Sequence, residues 1–437
     1  MSNLYVKPAV AGTSYDWVRP ADWLPIPRIV TNEEVFYSVF AVYNVTLGNF
    51  VAFSFTGNYT VDWGDGSAIE NITSGVVAQH QYDWANVGNV TSEGFRQALI
   101  KVIPQSGQNI TTIDLQKTHS TIGASKVSQH LDIVMSIPNV GGTLAFYNGT
   151  VVNRLCERVW IKQMGNVTSM FGMFYLAFPN LQSAIFPDTS SVRNTYAMFV
   201  GCNALKTVPL FNLSNVIDPT AMFQFCTSLM EVPLFNLSSA TSTNNMFNGC
   251  TSLLKVPLFN LSSLVNASNM FNGCTSLIEV PLFNLSNVTN TSYMFYGCKN
   301  LTTIPLFNLI SVLNTDQMFN ACSLLVTIPL INISNSTNTY GMFYQCPGLT
   351  TLSVNLSSTT NSSLFFNNST SLQKFTATGL KRGMSLLNCQ MSATELNNFF
   401  TSLGTASGAQ TIVVTGNHGA STCNTSIATA KGFTVTI

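Results

Sequence analysis

Charge is what this chain lacks most. Only 8% of its 437 residues are Asp, Glu, Lys or Arg, with 18 bases against 18 acids; an ordinary globular chain carries about 25%. Nucleic acid is therefore not an expected partner, because a phosphate backbone is gripped by a surplus of Lys and Arg. Histidine is scarcer still: His80, His119, His130 and His418 are all there are, and none stands in a metal-ligand spacing. No G-x-S-x-G, H-E-x-x-H or phosphate-loop motif occurs. The acids of the regular region, Asp188, Asp218, Glu231, Glu279 and Asp316, do not recur at one position. They are expected as scattered solvated carboxylates rather than a glycosidase pair. The expectation is a protein that is not an enzyme and holds no cofactor and no metal.

Long apolar runs are also missing. The most apolar stretch, residues 35–55, is broken by Ser38, Asn44, Thr46, Gly48 and Asn49, whereas a membrane span needs about 20 apolar residues. The first twenty residues carry Lys7, Asp16 and Arg19 and no apolar signal core. Synthesis in a cytosol, without membrane insertion, is expected. The many Asn-x-Ser/Thr triplets then read as turn chemistry rather than glycosylation acceptors.

What the chain does have is a period. Cys202, Cys226, Cys250, Cys274, Cys298, Cys322 and Cys346 recur every 24 residues. Each follows a Met-Phe pair, from Met198-Phe199 to Met342-Phe343, and prolines follow at Pro209, Pro233, Pro257, Pro281, Pro305 and Pro329. One unit reads MF-x-x-C-x-x-L-x-x-V/I-P-L-F-N-L-S. A fixed period of this length builds a solenoid, in which each coil touches only its neighbours. Leu205, Val208 and Leu210 space like L-x-x-L-x-L, the strand of a leucine-rich repeat, which assigns all three to the core. Stacked coils lie about 4.8 Å apart, so the cysteines form one file that cannot all pair. They read as buried apolar filler, not as a disulfide framework. Asn212, Asn236, Asn260, Asn284, Asn308 and Asn332 are expected to bond turn carbonyls of the next coil. A proline inside each strand demands an N–H that points off the ladder, or a very short strand.

Around the array the chain divides into four further parts. Residues 1–34 form a Pro- and Trp-rich arm, whose Trp17 and Trp23 either pack on the next domain or dock onto a partner. Residues 35–104 alternate as short strands and contain Val61-Asp62-Trp63-Gly64-Asp65-Gly66-Ser67, followed by His80-Gln81-Tyr82. Gly64 and Gly66 supply positive φ for a tight turn in which Asp65 bonds its own backbone. A Ca²⁺ loop at Asp62 and Asp65 would need oxygen ligands where Gly66 and Thr73 stand. Residues 105–166 read as degenerate coils, 167–375 as the regular array, and 376–437 as a small α/β cap. In that cap Ser392 opens a helix with capping-box spacing to Glu395.

The Trp63-Gly64-Asp65-Gly66 turn with His80 and Tyr82 resembles the PKD-type immunoglobulin-like domain. The repeat, at its fullest in Asn287-Val288-Thr289-Asn290 through Met294-Phe295-Tyr296-Gly297-Cys298 to Leu301, resembles the BspA-like leucine-rich repeats of bacterial and mycoplasma surface proteins. That resemblance implies an adhesin or scaffold without a catalytic site. Two short end segments, Tyr15 to Pro25 and Val414 to Val435, resemble the termini of repeat proteins of tailed phages. Together these imply a mostly β protein: a PKD-like sandwich, then a 24-residue-coil solenoid with an α/β cap. The function implied is that of a non-enzymatic virion component, a capsid decoration or tail fibre on the virion surface. Its partners would be other virion proteins, a host cell-surface glycan and further copies of itself. A cellular BspA-like adhesin is the alternative, and a polysaccharide depolymerase the second.

Overall fold

The computed structural model describes residues 17–45, 49–115, 117–120, 129–146 and 152–437; the first sixteen residues of the arm lie outside them. The chain first lays down β1 (Val35–Val42), β2 (Phe50–Thr56), β3 (Tyr59–Asp62), β4 (Glu70–Ile72), β5 (Ala78–Gln81), β6 (Arg96–Pro104) and β7 (Thr112–Asp114). Then come β8 (His130–Ile137), β9 (Gly142–Thr143), β10 (Arg158–Met164), β11 (Val167–Ser169) and β12 (Ser183–Ile185). Two sheets face each other: β5-β2-β7, and a seven-stranded sheet ordered β12-β10-β8-β1-β6-β3-β4. Phe36 of the larger meets Phe53 and Phe55 of the smaller at 6.1 and 5.5 Å between ring centroids.

β1 alternates in sequence, yet all eight of its residues are buried. The reason is the arm. Trp23, 3% exposed, packs with Val39, Ala41, Phe95 and Leu131, while Ile29 packs on Val35, Tyr37 and Val134. Ion pairs fix it there: Arg19 Nε and Arg158 Nη2 meet Asp132 Oδ2 at 2.8 and 2.7 Å. Trp17 Nε1 donates to Glu157 at 2.9 Å, and the Arg158 guanidinium lies 4.9 Å over the Trp17 ring. Trp17 and Trp23 thus pack on the neighbouring domain of their own chain, the first of the two readings given for them.

The stretch 105–166 is not a simple run of coils. β7 pairs antiparallel with β2, and β8 pairs antiparallel with β1 on one side and parallel with β10 on the other. There the antiparallel sheet becomes the parallel stacking of the solenoid, continued by β10 with β12. A single apolar core runs unbroken from Phe36 to Phe433.

Among the described residues no named strand lies between β12 and β13 (Thr351–Asn355); isolated bridges such as Thr303 to Thr327 take their place. In the coil of Cys250 the N–H groups of Thr243, Asn245, Phe247 and Gly249 donate to Asn266, Ser268, Met270 and Asn272 of the next coil. Those of Met246, Asn248 and Cys250 donate back to Thr243, Asn245 and Phe247. Left-handed residues at Asn245 (φ 56°) and Gly249 (φ 75°) produce this alternation, so the amides of this segment are bonded without an extended strand.

The proline question resolves in the same way. Phe235, Phe259, Phe283 and Phe307 each donate N–H to the carbonyl of the proline two residues back, at 2.9 Å. That bond closes a three-residue γ-turn centred on the intervening leucine. Leu210, Leu234, Leu258, Leu282, Leu306 and Leu330 are turned outward, and Phe211, Phe235, Phe259, Phe283 and Phe307 drop into the core. The assignment of Leu210 to the core is therefore corrected.

The far end is closed by β13 with β14 (Lys374–Thr378), β15 (Met384–Ser385), α1 (Ala393–Ser402), β16 (Gln410–Val413), α2 (Ser426–Thr429) and β17 (Phe433–Thr436), all strand pairs being parallel. Ser392 Oγ accepts from the N–H of Glu395 at 3.2 Å and caps α1.

Candidate binding surfaces of the coils

The interior of the coil array is spent on stacking. Phe199, Phe223, Phe247, Phe271, Phe295, Phe319 and Phe343 stack with centroids 5.4–5.6 Å apart and near-parallel rings. Beside them each thiol from Cys226 to Cys346 donates to the carbonyl of the phenylalanine 27 residues earlier, at 2.9–3.2 Å. Ser369 continues the file by donating to Phe343 at 2.7 Å. Burial pushes the thiols of this column up, Cys346 to about 12, which leaves them protonated donors rather than nucleophiles.

The six asparagines do not bond the next coil. Oδ1 of Asn212, Asn236, Asn260, Asn284, Asn308 and Asn332 accepts from the N–H two residues on, at 3.1–3.3 Å, within the same coil. This is an Asx-turn, and it shapes the chain after each phenylalanine. The inter-coil bonds come from Asn215, Asn287 and Asn335, which donate Nδ2 to Ser190, Ser262 and Ile310 carbonyls at 2.8–3.1 Å.

In the sandwich, the Asp62-Trp63-Gly64-Asp65-Gly66 segment is a turn held by side chains. Asp62 Oδ1 accepts from Gly64 N–H, and Asp65 Oδ1 from Ser67 N–H, both at 3.0 Å. His80 Nε2 lies 2.8 Å from Asp65 Oδ2 while its ring stacks on Trp63 at 5.0 Å. Tyr82 donates its hydroxyl to the Trp63 carbonyl at 2.9 Å. Gly64 has φ +76°, and a Cβ there would stand 2.4 Å from the Leu99 carbonyl oxygen. Partial burial works to raise the Asp65 carboxyl, but hydrogen bonds from Ser67 and His80 outweigh it and hold the group below its ordinary value. Among the described residues no cluster of three or more His, Cys, Asp or Glu could hold a metal.

Two outward faces have chemistry of their own. One is the stripe of leucines that follow the prolines, from Leu258, Leu282 and Leu306 at 57% exposed to Leu330 at 71%. Exposed Leu254, Ile278 and Val326 widen it. The other lies on the Met-Phe segments of three successive coils. Tyr293 and Tyr296 sit 5.7 Å apart with rings tilted at 45°. Gln317 donates Nε2 to the Tyr293 hydroxyl and, at 3.4 Å, to Asp316; Asn320 Nδ2 donates to Gln317 Oε1 at 2.9 Å. Burial raises the Tyr293 hydroxyl, helped by Asp316, Tyr296 and Tyr340. The Asp316 carboxyl is raised by burial against the hydrogen bond from Gln317. The patch therefore offers half-buried phenol rings, one partly desolvated carboxylate and two amides. Sequence reading passed it over, grouping Asp316 with the scattered acids. Rows of 24 would have shown it: Asp316 falls beside Tyr340, and Tyr293 beside Gln317.

Residues 168–282 and 265–378 each match the family described as "Mycoplasma protein of unknown function, DUF285". The chain carries a BspA-like leucine-rich-repeat array. The match coincides with the coils and stops short of the sandwich and the extreme ends, so the PKD-like and phage-like resemblances rest on their residues alone. For a virion component the comparisons offer nothing. Among curated proteins none matches. Two solved structures are similar over long stretches. The structure of a TLR13-ssRNA13 complex is 14% identical over 70% of this chain and 54% of its own, with a TM-score of 0.24. A leucine-rich repeat protein from Bacteroides ovatus ATCC 8483 is 15% identical over 66% of this chain and 91% of its own, with a TM-score of 0.22. This chain spans about half the length of the first.

Proposed function

We propose that the protein is a non-enzymatic adhesin displayed on a cell surface, and that the BspA-like array is its binding part. The observation supporting this is the tyrosine-carboxylate patch of Tyr293, Tyr296, Asp316, Gln317 and Tyr340. Tyrosine brings a broad amphipathic face at low entropic cost, and carboxylate and amide groups add directed hydrogen bonds. An uncharged polyol such as a surface glycan suits that combination and suits a chain with so few charges. Each contact is modest, and display of many copies supplies the avidity.

The test is a glycan array probed with the fluorescent full chain, alongside Tyr293→Ala and Asp316→Ala. Binding to a defined glycan set, reduced at least about tenfold in either variant, is the expected result. No binding to any glycan, or binding indifferent to both substitutions, would overturn the reading. Immuno-electron microscopy separates a cell surface from a phage particle, the reading that the two terminal segments alone favour. Release of reducing ends from bound polysaccharide would reinstate the depolymerase.

A further inference from the structure

The leucine stripe is separate from the tyrosine patch, and nothing in the proposed adhesion uses it. We propose that it is the interface between two copies of this chain, packed antiparallel about a two-fold axis lying between the coils of Leu234 and Leu258.

Six consecutive coils expose a leucine at one position, the four from Leu234 to Leu306 each held out by a γ-turn. At one coil per about 4.8 Å this is an apolar ridge some five coil spacings long, and contiguous apolar surface of that kind marks an association site. The occupant is named by the charges beside it. On the first four of these coils stand Lys206, Glu231, Lys255 and Glu279; the last two carry Thr303 and Thr327 instead. Glu231, Lys255 and Glu279 are exposed and occupy one position, while Lys206, half-buried, stands one residue earlier on a long flexible stem. Among the described residues no ion pair engages any of the four.

The signs run plus, minus, plus, minus. That order complements its own reverse. A two-fold axis between the second and third coils sets Lys206 against Glu279 of the other copy and Glu231 against Lys255, four attractive pairs in all. A slip of half a coil in the axis puts like on like: Lys255 on Lys255 and Glu231 on Glu279, or Glu231 on Glu231 and Lys206 on Lys255. Parallel alignment about a two-fold axis also sets each charge against itself. Leucines give the contact its area and charges choose its register, because like-charge juxtaposition penalises the alternatives. The same patch serves both copies, so the assembly closes as a dimer. Both copies share one coil spacing, so in this register the leucines of the first four coils, Leu210, Leu234, Leu258 and Leu282, meet level with those of the other copy, Leu210 with Leu282 and Leu234 with Leu258.

Sedimentation equilibrium of the full chain provides the test. A dimer is expected for the wild type. Glu231→Lys alone, or Lys255→Glu alone, creates facing like charges and should raise the dissociation constant at least about tenfold. The double exchange Glu231→Lys with Lys255→Glu restores the order of signs across the axis and should restore the dimer. All these side chains are exposed, and an unchanged circular-dichroism melt confirms that each variant folds. A wild type that stays monomeric to about 0.1 mM overturns the interface. A dimer that survives Leu234→Ser with Leu258→Ser does the same. A double exchange no tighter than the single ones overturns the register. A monomeric wild type that still binds glycan leaves the adhesion reading standing, so the two failures are distinguishable.

Discussion

The thiol of Cys274 donates to the carbonyl of Phe247, 3.1 Å away. The same carbonyl already accepts the N–H of Cys250 in its own coil, so the thiol takes its second lone pair and ties one coil to the next. A serine can keep that bond, as Ser369 does at its place in the file. Cys274→Ala loses both the donor and a small volume of sulfur. It should cost about 1–2 kcal/mol, and Cys274→Ser less, when urea midpoints of the variants are compared.

The same burial predicts a labelling pattern. Cys423 is partly exposed, whereas the other nine cysteines are buried and unpaired. A thiol-reactive dye added to the native protein should label Cys423 first, and all ten thiols should react in denaturant. Rapid native labelling within the column would contradict a thiolate held off by burial.

Adjacent residues Leu258 and Phe259 should respond oppositely to truncation. Leu258 is outward on its γ-turn and Phe259 stacks between Phe235 and Phe283 at 6.3 and 6.2 Å. In dilute monomer, Leu258→Ser should shift stability by no more than about 0.5 kcal/mol, and Phe259→Ala should cost about 3–5 kcal/mol. Thermal or urea unfolding of the two variants reads the difference directly.

Acid should weaken the head of the molecule through His130. Its Nδ1 lies 2.6 Å from Ser38 Oγ, its Nε2 is buried without a partner, and burial lowers its pKa to about 3. The unfolded chain binds a proton near pH 6.5 that the folded chain refuses until about pH 3. Stability therefore falls as pH drops through this window, by up to about 1.4 kcal/mol per unit. Urea midpoints from pH 7 to pH 4 should show this slope, and His130→Gln should reduce it.

Much of this fold was legible because its unit repeats. The 24-residue interval placed the cysteine file, the Met-Phe core and the extent of the array, and Ser392 with Glu395 placed α1. Leu210 was misread because Pro-Leu-Phe-Asn-Leu offers two apolar neighbours, and pattern alone does not say which enters the core. In the coils from Leu234 to Leu306 the γ-turn that turns the leucine out is a backbone hydrogen bond, invisible in residue type. The asparagines were given the wrong partners for a similar reason: Asn serves a local turn and a neighbouring coil equally well, and only geometry separates Asn212 from Asn215. The tyrosine patch was hidden differently, being assembled from three coils of which none is unusual by itself.

Head and array share one seven-stranded sheet, in which β8 is bonded to β1 of the sandwich and to β10 of the solenoid. Among the described residues the two are joined through β8. A pull that draws the two regions apart acts across the strands, on the rows of backbone hydrogen bonds that β8 makes with β1 and with β10. The head therefore follows the first coils as part of the same sheet.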